Sequence, residues 1–133
     1  MKTWKSKPTN TEIKALIQEF TNLLKLGNLE SAKNLVQHKF NDWESSIWSL
    51  WQDTYLIYLE DLDKKVSDES FEAKLWKSDL TWLKALEIED KFNWDGNYVS
   101  VNIIYEDEFT DTSMSFVLEK NSNGYILTLE NIS

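Results

Sequence analysis

The apolar residues of this chain change their spacing near residue 84. Before that point they recur three and four residues apart, as on one face of a helix, and after it they alternate with polar residues, as in β-strands. Thr9 and Glu12 form a capping-box signature for the first helix, and Gly27 stands where a glycine commonly ends one. The apolar stripe between them consists of Ile13, Leu16, Ile17, Phe20, Leu23 and Leu24.

Further helical segments are predicted before the change in spacing. Asn28 is the expected N-cap of a short second helix, whose apolar stripe ends at Val36. The segment of residues 43–62 is apolar on nearly every side, which is typical of a helix that is buried or meets two partners. The pattern leaves open whether residues 43–69 are helical throughout or include a strand. A last helix is predicted over residues 70–84.

Four strands are predicted after residue 84, and they span residues 86–92, 98–105, 114–118 and 125–129. Asp95-Gly96 and Asn123-Gly124 are predicted turns, because residues that tolerate positive φ favour tight hairpins. The connection of residues 106–111 is longer and acidic. These elements predict an α+β fold in which N-terminal helices pack on a C-terminal curved four-stranded antiparallel sheet, so that the whole resembles a cup.

Length and composition indicate one domain over residues 1–133, with residues 1–8 as a flexible N-terminal tail. The chain has no cysteine, which excludes disulfides, thiolate zinc sites and cysteine nucleophiles and fits a reducing compartment. The basic N-terminus is not followed by the apolar core of a signal peptide, and no apolar run is long enough to span a bilayer. A cytoplasmic location is therefore expected.

The net charge is −9, from 23 acidic and 14 basic residues. Such a charge repels nucleic acids and anionic membranes, since both are bound by basic surfaces. It favours encounter with a basic protein instead. The alternative interpretation is that the acidity only keeps a small domain soluble.

Three segments together resemble the NTF2-like superfamily, whose members have a cone-shaped, cystatin-like α+β fold. They are the helix connection at residues 26–32, the turn at residues 93–99 and the hairpin at residues 114–130. Members usually have a strand soon after the second helix, whereas residues 43–83 here are predicted to be mostly helical. The superfamily includes cyclases, isomerases, dehydratases, dimeric transport factors and small bacterial immunity proteins that neutralise toxins. The resemblance therefore implies a fold and leaves several functions open.

No catalytic signature is found in the sequence. His38, the single histidine, falls off the apolar stripe of the second helix, so a boundary position is favoured over a general base. Asp53 and Tyr55 are further candidates for residues that face a pocket. The acidic residues 107–111 lack the spacing of a calcium loop, and the chain has no glycine-rich phosphate loop. No catalytic residue, metal or cofactor is predicted.

Acidic and aromatic residues are the predicted binding groups. Trp48 and Trp82 lie off the main stripes of their helices, where tryptophan is a common interface anchor. Two acidic segments complete the predicted surface, and they contain Glu60, Asp61 and Asp63 in one and Glu106, Asp107, Glu108 and Asp111 in the other. We therefore expect a non-enzymatic immunity or inhibitor protein that neutralises a basic toxin or nuclease.

Two alternatives remain. The first is a small-molecule-binding protein or an enzyme of the isomerase or cyclase type, with its ligand in the cone and His38, Asp53 or Tyr55 in the pocket. The second is a homodimer formed through the outer face of the sheet.

Overall fold

Three α-helices and a seven-stranded, largely antiparallel sheet form the part of the chain that the computed structural model describes, residues 1–39, 43–58 and 79–133. The α-helices are α1 (Asn10–Lys25), α2 (Leu29–Leu35) and α3 (Trp43–Trp51). The strands are β1 (Thr3–Trp4), β2 (Gln37–His38), β3 (Leu86–Ile88), β4 (Asn93–Asp95), β5 (Tyr98–Tyr105), β6 (Glu108–Asn121) and β7 (Gly124–Ile132). The predicted α+β class is thus confirmed, with a larger sheet than the sequence predicts.

The first two helices begin and end as predicted. The Thr9 hydroxyl accepts a hydrogen bond from the Glu12 amide, and the Glu12 carboxylate accepts one from the Thr9 amide, which closes the capping box. Gly27 follows α1 with φ +74°, a conformation that glycine adopts without steric conflict. The Asn28 side chain then caps α2 through the Ser31 amide.

The third helical segment is longer than α3 alone. A π-helical turn, Gln52–Leu56, continues α3, and residues 57–58 are again helical. Within it the Thr54 hydroxyl donates to the Leu50 carbonyl over 2.6 Å. The predicted helix over residues 43–62 is therefore confirmed as far as residue 58, and its end lies outside the described residues. Most of the predicted helix at 70–84 lies outside them too, and its described end belongs to a 3₁₀ helix, Thr81–Ala85.

The sheet is built around the long hairpins of β5, β6 and β7. The order is β1-β7-β6-β5-β3; β2 runs parallel to β7 on the same edge as β1, and β4 pairs with β5 on the same edge as β3. The predicted first strand, residues 86–92, ends at Ile88, and an unpredicted strand, β4, follows it; β3 and β4 pair with opposite ends of β5. Residues 1–8 are predicted to be a flexible tail, whereas Thr3–Trp4 form β1 against β7.

The turns place two of the three glycines where side chains would conflict with the backbone. Asp95 pairs with Tyr98, and Gly96 takes a φ of +61° in the turn between them. The last hairpin turns at residues 122–123, one residue earlier than predicted. Gly124 instead opens β7, and a Cβ atom there would lie 2.2 Å from the Trp4 carbonyl oxygen. The glycine is therefore required by the close approach of β1.

The core lies between the helices and the inner face of the sheet. Phe20 of α1 meets Phe116 of β6 edge to face, with ring centroids 5.8 Å apart, and meets Trp43 at 6.0 Å. The predicted inner faces of β5 and β6 are confirmed by burial of Val99, Val101, Ile103, Tyr105, Met114, Phe116 and Leu118. Among the helices described, none combines the length and the apolar character needed to cross a bilayer.

Candidate functional site: an acidic tip and an aromatic cavity

The turn between β5 and β6 has an unusual backbone. Tyr105 pairs with Glu108, so Glu106 and Asp107 alone form the turn, with φ of 51° and 61°. Both values lie in the left-handed region, where asparagine and glycine are favoured and a side chain such as glutamate meets a steric penalty. The predicted acidic loop over residues 106–111 is thus a two-residue turn followed by the start of β6.

Strand β6 bulges directly after this turn. Asn102 pairs with Ser113 and Ile104 pairs with Phe109, so β6 carries two more residues than β5 over this stretch. The Thr110 hydroxyl closes the bulge, because it donates to the Ile103 carbonyl over 2.8 Å and accepts from the Thr112 amide over 3.1 Å. Bulges of this kind redirect side chains and are common beside functional sites.

The acidic tip, residues 106–111, presents one exposed aromatic ring among carboxylates. Phe109 is 75% exposed. The acidic residues around it in the chain are all exposed, and they are Glu106, Asp107, Glu108 and Asp111. Burial of an exposed apolar ring against a partner lowers the free energy, and the carboxylates favour a partner of positive charge.

A cavity of about 360 Å³ joins the acidic tip to residues 53–58 of the third helical segment. Asp53, Ile57 and Tyr58 line it from the helical side, and Phe109 and Asp111 line it from β6. Ile57 is 49% exposed, so it extends the apolar surface next to the tip. Desolvation by burial raises the pKa of the Asp53 carboxyl above its usual value of 3.8.

A second cavity, the aromatic cavity, has a volume of about 470 Å³ and shares Tyr58 and Tyr105 with the first. Aromatic rings dominate its walls, and they belong to Trp51, Tyr55, Tyr58, Trp82 and Tyr105. The rings of Trp51 and Tyr55 are 6.5 Å apart, as are those of Tyr55 and Trp82, and Tyr58 meets Tyr105 at 5.8 Å. The π-helical turn and the 3₁₀ helix supply opposite walls.

Polar groups of this cavity divide into a neutral interior and a charged mouth. The Tyr105 hydroxyl donates to the Trp82 carbonyl over 2.8 Å, and burial above all raises the pKa of this phenol, so it stays protonated. Asp79, Glu106 and Lys84 also line the cavity, and all three are exposed. The Thr81 amide donates to the Asp79 carboxylate over 2.9 Å, which lowers the pKa of that carboxyl and keeps it ionised.

The structure brings some of the predicted site residues together and separates others. Asp53 and Tyr55 line these two adjoining cavities, as a pocket role would require. His38 lies in β2 and lines a different cavity of about 370 Å³, where its Nε2 atom is 2.7 Å from the Lys33 carbonyl oxygen. Glu60, Asp61 and Asp63 lie outside the described residues.

The two tryptophans predicted as outward anchors are not on an open surface. Trp48 is partly buried and packs against the core, and Trp82 is only 6% exposed. Trp82 turns inward because residues 81–85 form a 3₁₀ helix, whose three residues per turn place it on a different face from that of an α-helix.

The sequence pattern does not predict Phe109 as a binding residue, because Phe109 belongs to no helical stripe and to no strand pattern. Its signal is its context, since it is the single apolar residue in the segment of residues 106–111. The sequence places Tyr58 in the predicted helix of residues 43–62 and Tyr105 in the predicted strand of residues 98–105, and their position beside both cavities depends on how the third helical segment meets the sheet. Within the described residues, His, Asp and Glu side chains form no group of three that could hold a metal ion.

No protein-family model, no curated protein and no solved structure matches this chain. Function is therefore argued from the acidic tip and the two cavities beside it.

Proposed function

We propose that this protein is a non-enzymatic binding module that holds a basic protein partner at the acidic tip. In its most specific form, the proposal is that the protein is an immunity or inhibitor protein that neutralises a toxin or nuclease. The observation that carries the proposal is Phe109, a phenyl ring that is 75% exposed and flanked by four acidic residues in the chain. Large aromatic residues anchor many interfaces, whereas a fully solvated one contributes little to a monomer.

The negative charge of the acidic tip predicts that the partner is positively charged. The acidic tip contains four carboxylates and no basic residue, in a chain whose net charge is −9. Such a surface speeds encounter with a basic partner and rejects acidic ones. An inhibitor needs no chemistry of its own, because it acts by covering a basic active site or substrate groove. The resemblance of the sequence to a superfamily that includes immunity proteins supports this form of the proposal.

A second candidate function rests on the aromatic cavity. Its volume of about 470 Å³ falls in the range of small-molecule pockets, ~300–1,000 Å³. Under this alternative the protein binds a small ligand beside Tyr55 and Trp82, and the acidic tip serves only solubility.

The experiment that tests the proposal is quantitative affinity capture from a lysate of the native cells. The immobilised full-length chain is compared with the triple variant Glu106→Lys, Glu108→Lys, Asp111→Lys and with a matched control, Glu19→Lys, Glu30→Lys, Glu119→Lys. The control residues are exposed and lie on α1, α2 and the far end of β6, so the change in total charge is equal. We expect one basic protein to be captured by the wild type and the control but not by the tip variant.

Phe109→Ala separates the ring from the charges in the same experiment. We expect this substitution to weaken capture by more than tenfold, since truncation of an interface anchor typically costs ~2 kcal/mol or more. The matched control is Tyr98→Ala, at an aromatic residue that is 54% exposed at the other end of β5. Equal capture by the tip variant and its charge-matched control contradicts the proposal.

A further inference from the structure

We propose that the aromatic cavity binds an organic cation, with an alkylammonium or guanidinium head group. The inference deepens the proposed function, on which it rests for the source of that cation, a lysine or arginine side chain of the basic partner. A free small-molecule cation would carry the same chemistry, and the test below distinguishes the two.

Aromatic side chains line much of the cavity. The Tyr55 ring packs against both Trp51 and Trp82, with each pair of ring centroids 6.5 Å apart and the planes inclined by 34° and 36°. Cations are attracted to the faces of tryptophan, tyrosine and phenylalanine within ~6 Å of the ring centroid. A cation next to Tyr55 in this cavity therefore reaches more than one ring at once. Several rings around one site form the arrangement that recognises alkylated ammonium groups.

The polar group beside the rings is neutral. The Tyr105 hydroxyl donates to the Trp82 carbonyl and its phenol stays protonated, so towards a ligand it offers only oxygen lone pairs and no positive charge. The buried indole Nε1 of Trp82 has no hydrogen-bond partner among the described residues, and as an N–H donor it does not itself favour a cation. The other apolar residues that line the cavity are Leu56 and Ala85.

The mouth of the cavity carries an excess of negative charge. Asp79 and Glu106 line it as carboxylates and Lys84 lines it as a cation, which leaves one net negative charge. Asp53 adds another carboxyl in the adjoining cavity that shares Tyr58 and Tyr105. Glu106 belongs to both the aromatic cavity and the acidic tip, so a partner seated on Phe109 has its neighbouring basic side chains next to the cavity mouth.

The test is a titration of the full-length protein with choline, with N-acetylarginine methylamide and with 3,3-dimethylbutan-1-ol, the neutral carbon isostere of choline. Binding is followed by calorimetry and by tryptophan fluorescence, to which Trp51 and Trp82 contribute together with the other five tryptophans. We expect at least one of the cations to bind about tenfold more tightly than the neutral alcohol, as a cation–π contribution of ~1–2 kcal/mol implies. Tighter binding of the arginine derivative indicates a partner side chain, and tighter binding of choline indicates a free ligand.

Two variants connect the binding to this cavity. Asp79→Asn with Glu106→Gln removes both mouth carboxylates at exposed positions, and Tyr55→Leu removes the central ring. We expect both to weaken cation binding at least fivefold, whereas the control Glu19→Gln with Glu119→Gln leaves it unchanged. Binding of both cations that is no tighter than that of the neutral alcohol, or no binding of either cation, overturns the inference.

The outcomes for the two proposals remain separable. If capture of the basic protein depends on the acidic tip while neither cation binds, the cavity inference fails and the proposed function stands. If choline binds and no basic protein is captured, the proposed function fails and the cavity is a small-molecule site.

Discussion

At the acidic tip, Glu106 and Asp107 hold backbone conformations that glycine adopts at lower cost. For residues with a Cβ atom the left-handed conformation costs roughly 1–2 kcal/mol, and adjacent carboxylates add repulsion. Such strain is retained where the surrounding structure fixes it, and it occurs often at functional sites. The tip thus combines three features that do not favour the stability of the monomer, namely strain, like charges and an exposed ring.

Asp107→Gly should therefore stabilise the protein. We expect the free energy of unfolding to rise by roughly 0.5–1 kcal/mol, because glycine removes the conflict at positive φ. Asp107→Ala is the matched control, since it removes the same charge but keeps a Cβ atom and has no preference for the left-handed region. Urea denaturation of the three proteins gives the comparison. A glycine variant that is no more stable than the alanine variant would show that charge, and not backbone conformation, is the source of the strain.

The raised pKa of Asp53 predicts that its effect on the stability of the fold depends on pH. Its pKa is raised by burial, so the folded state binds its proton more tightly than the unfolded chain does. Ionised Asp53 is therefore unfavourable to folding above its raised pKa, and this penalty disappears as the pH falls toward 3.8. We expect Asp53→Asn to stabilise the protein at pH 7 and to lose that advantage near pH 4, as followed by urea denaturation. A gain that is the same at both pH values would contradict this account.

At the scale of the elements, alternation allowed prediction of the long strands and failed for the short ones. The inner faces of β5 and β6 follow from apolar residues at every second position, which few other structures produce. Strands β1 and β2 have two residues each, so they show no period at all. They exist because the edge of β7 offers unpaired backbone groups that nearby segments can satisfy. His38 was for this reason assigned to the end of a helix, whereas it lies in β2.

The pairing of the short strand β1 depends on the glycine at position 124. A Cβ atom there would meet the Trp4 carbonyl oxygen at 2.2 Å, whereas one on Gly96 would meet nothing within 4 Å. Gly96→Ala is the control for a substitution at positive φ in open space, and the difference between the variants also includes the more restricted backbone of Gly124, whose φ is +126° against +61° for Gly96.

We expect Gly124→Ala to destabilise the protein by at least ~1.5 kcal/mol more than Gly96→Ala, since displacement of β1 exposes the buried Trp4 side chain. Urea denaturation measures the difference, and quenching of tryptophan fluorescence by acrylamide, summed over the seven tryptophans, should rise as Trp4 becomes exposed. Equal stability of the two variants would mean that β1 adds little to the fold.

The candidate site could be predicted only in part, for reasons that also belong to this scale. The acidic residues 106–111 were identifiable from composition, and their geometry as a turn and a bulge was not, because Glu106 and Asp107 are poor turn residues by propensity. The aromatic cavity depends on a π-helical turn and a 3₁₀ helix, neither of which has a distinct apolar period. Trp82 was therefore placed on the wrong side of its helix.

At the scale of the whole molecule, the fold brings aromatic and acidic residues together at one end. Three parts of the chain that are distant in sequence meet around Tyr58 and Tyr105, and they are residues 51–58 of the third helical segment, the 3₁₀ helix and the β5–β6 turn. Within the described residues, this end holds the most exposed aromatic ring, the left-handed acidic turn and both adjoining cavities. The rest of the sheet and α1 form the packed core that supports it.

The measurement that tests the central claim most directly is the affinity of the captured basic protein, once purified, for the tip variant with lysine at residues 106, 108 and 111. The account predicts binding at least a hundredfold weaker than for the wild type, with the control at residues 19, 30 and 119 within threefold, and a wild-type affinity that falls as salt screens the charges. Equal affinity of the tip variant and the control would contradict it.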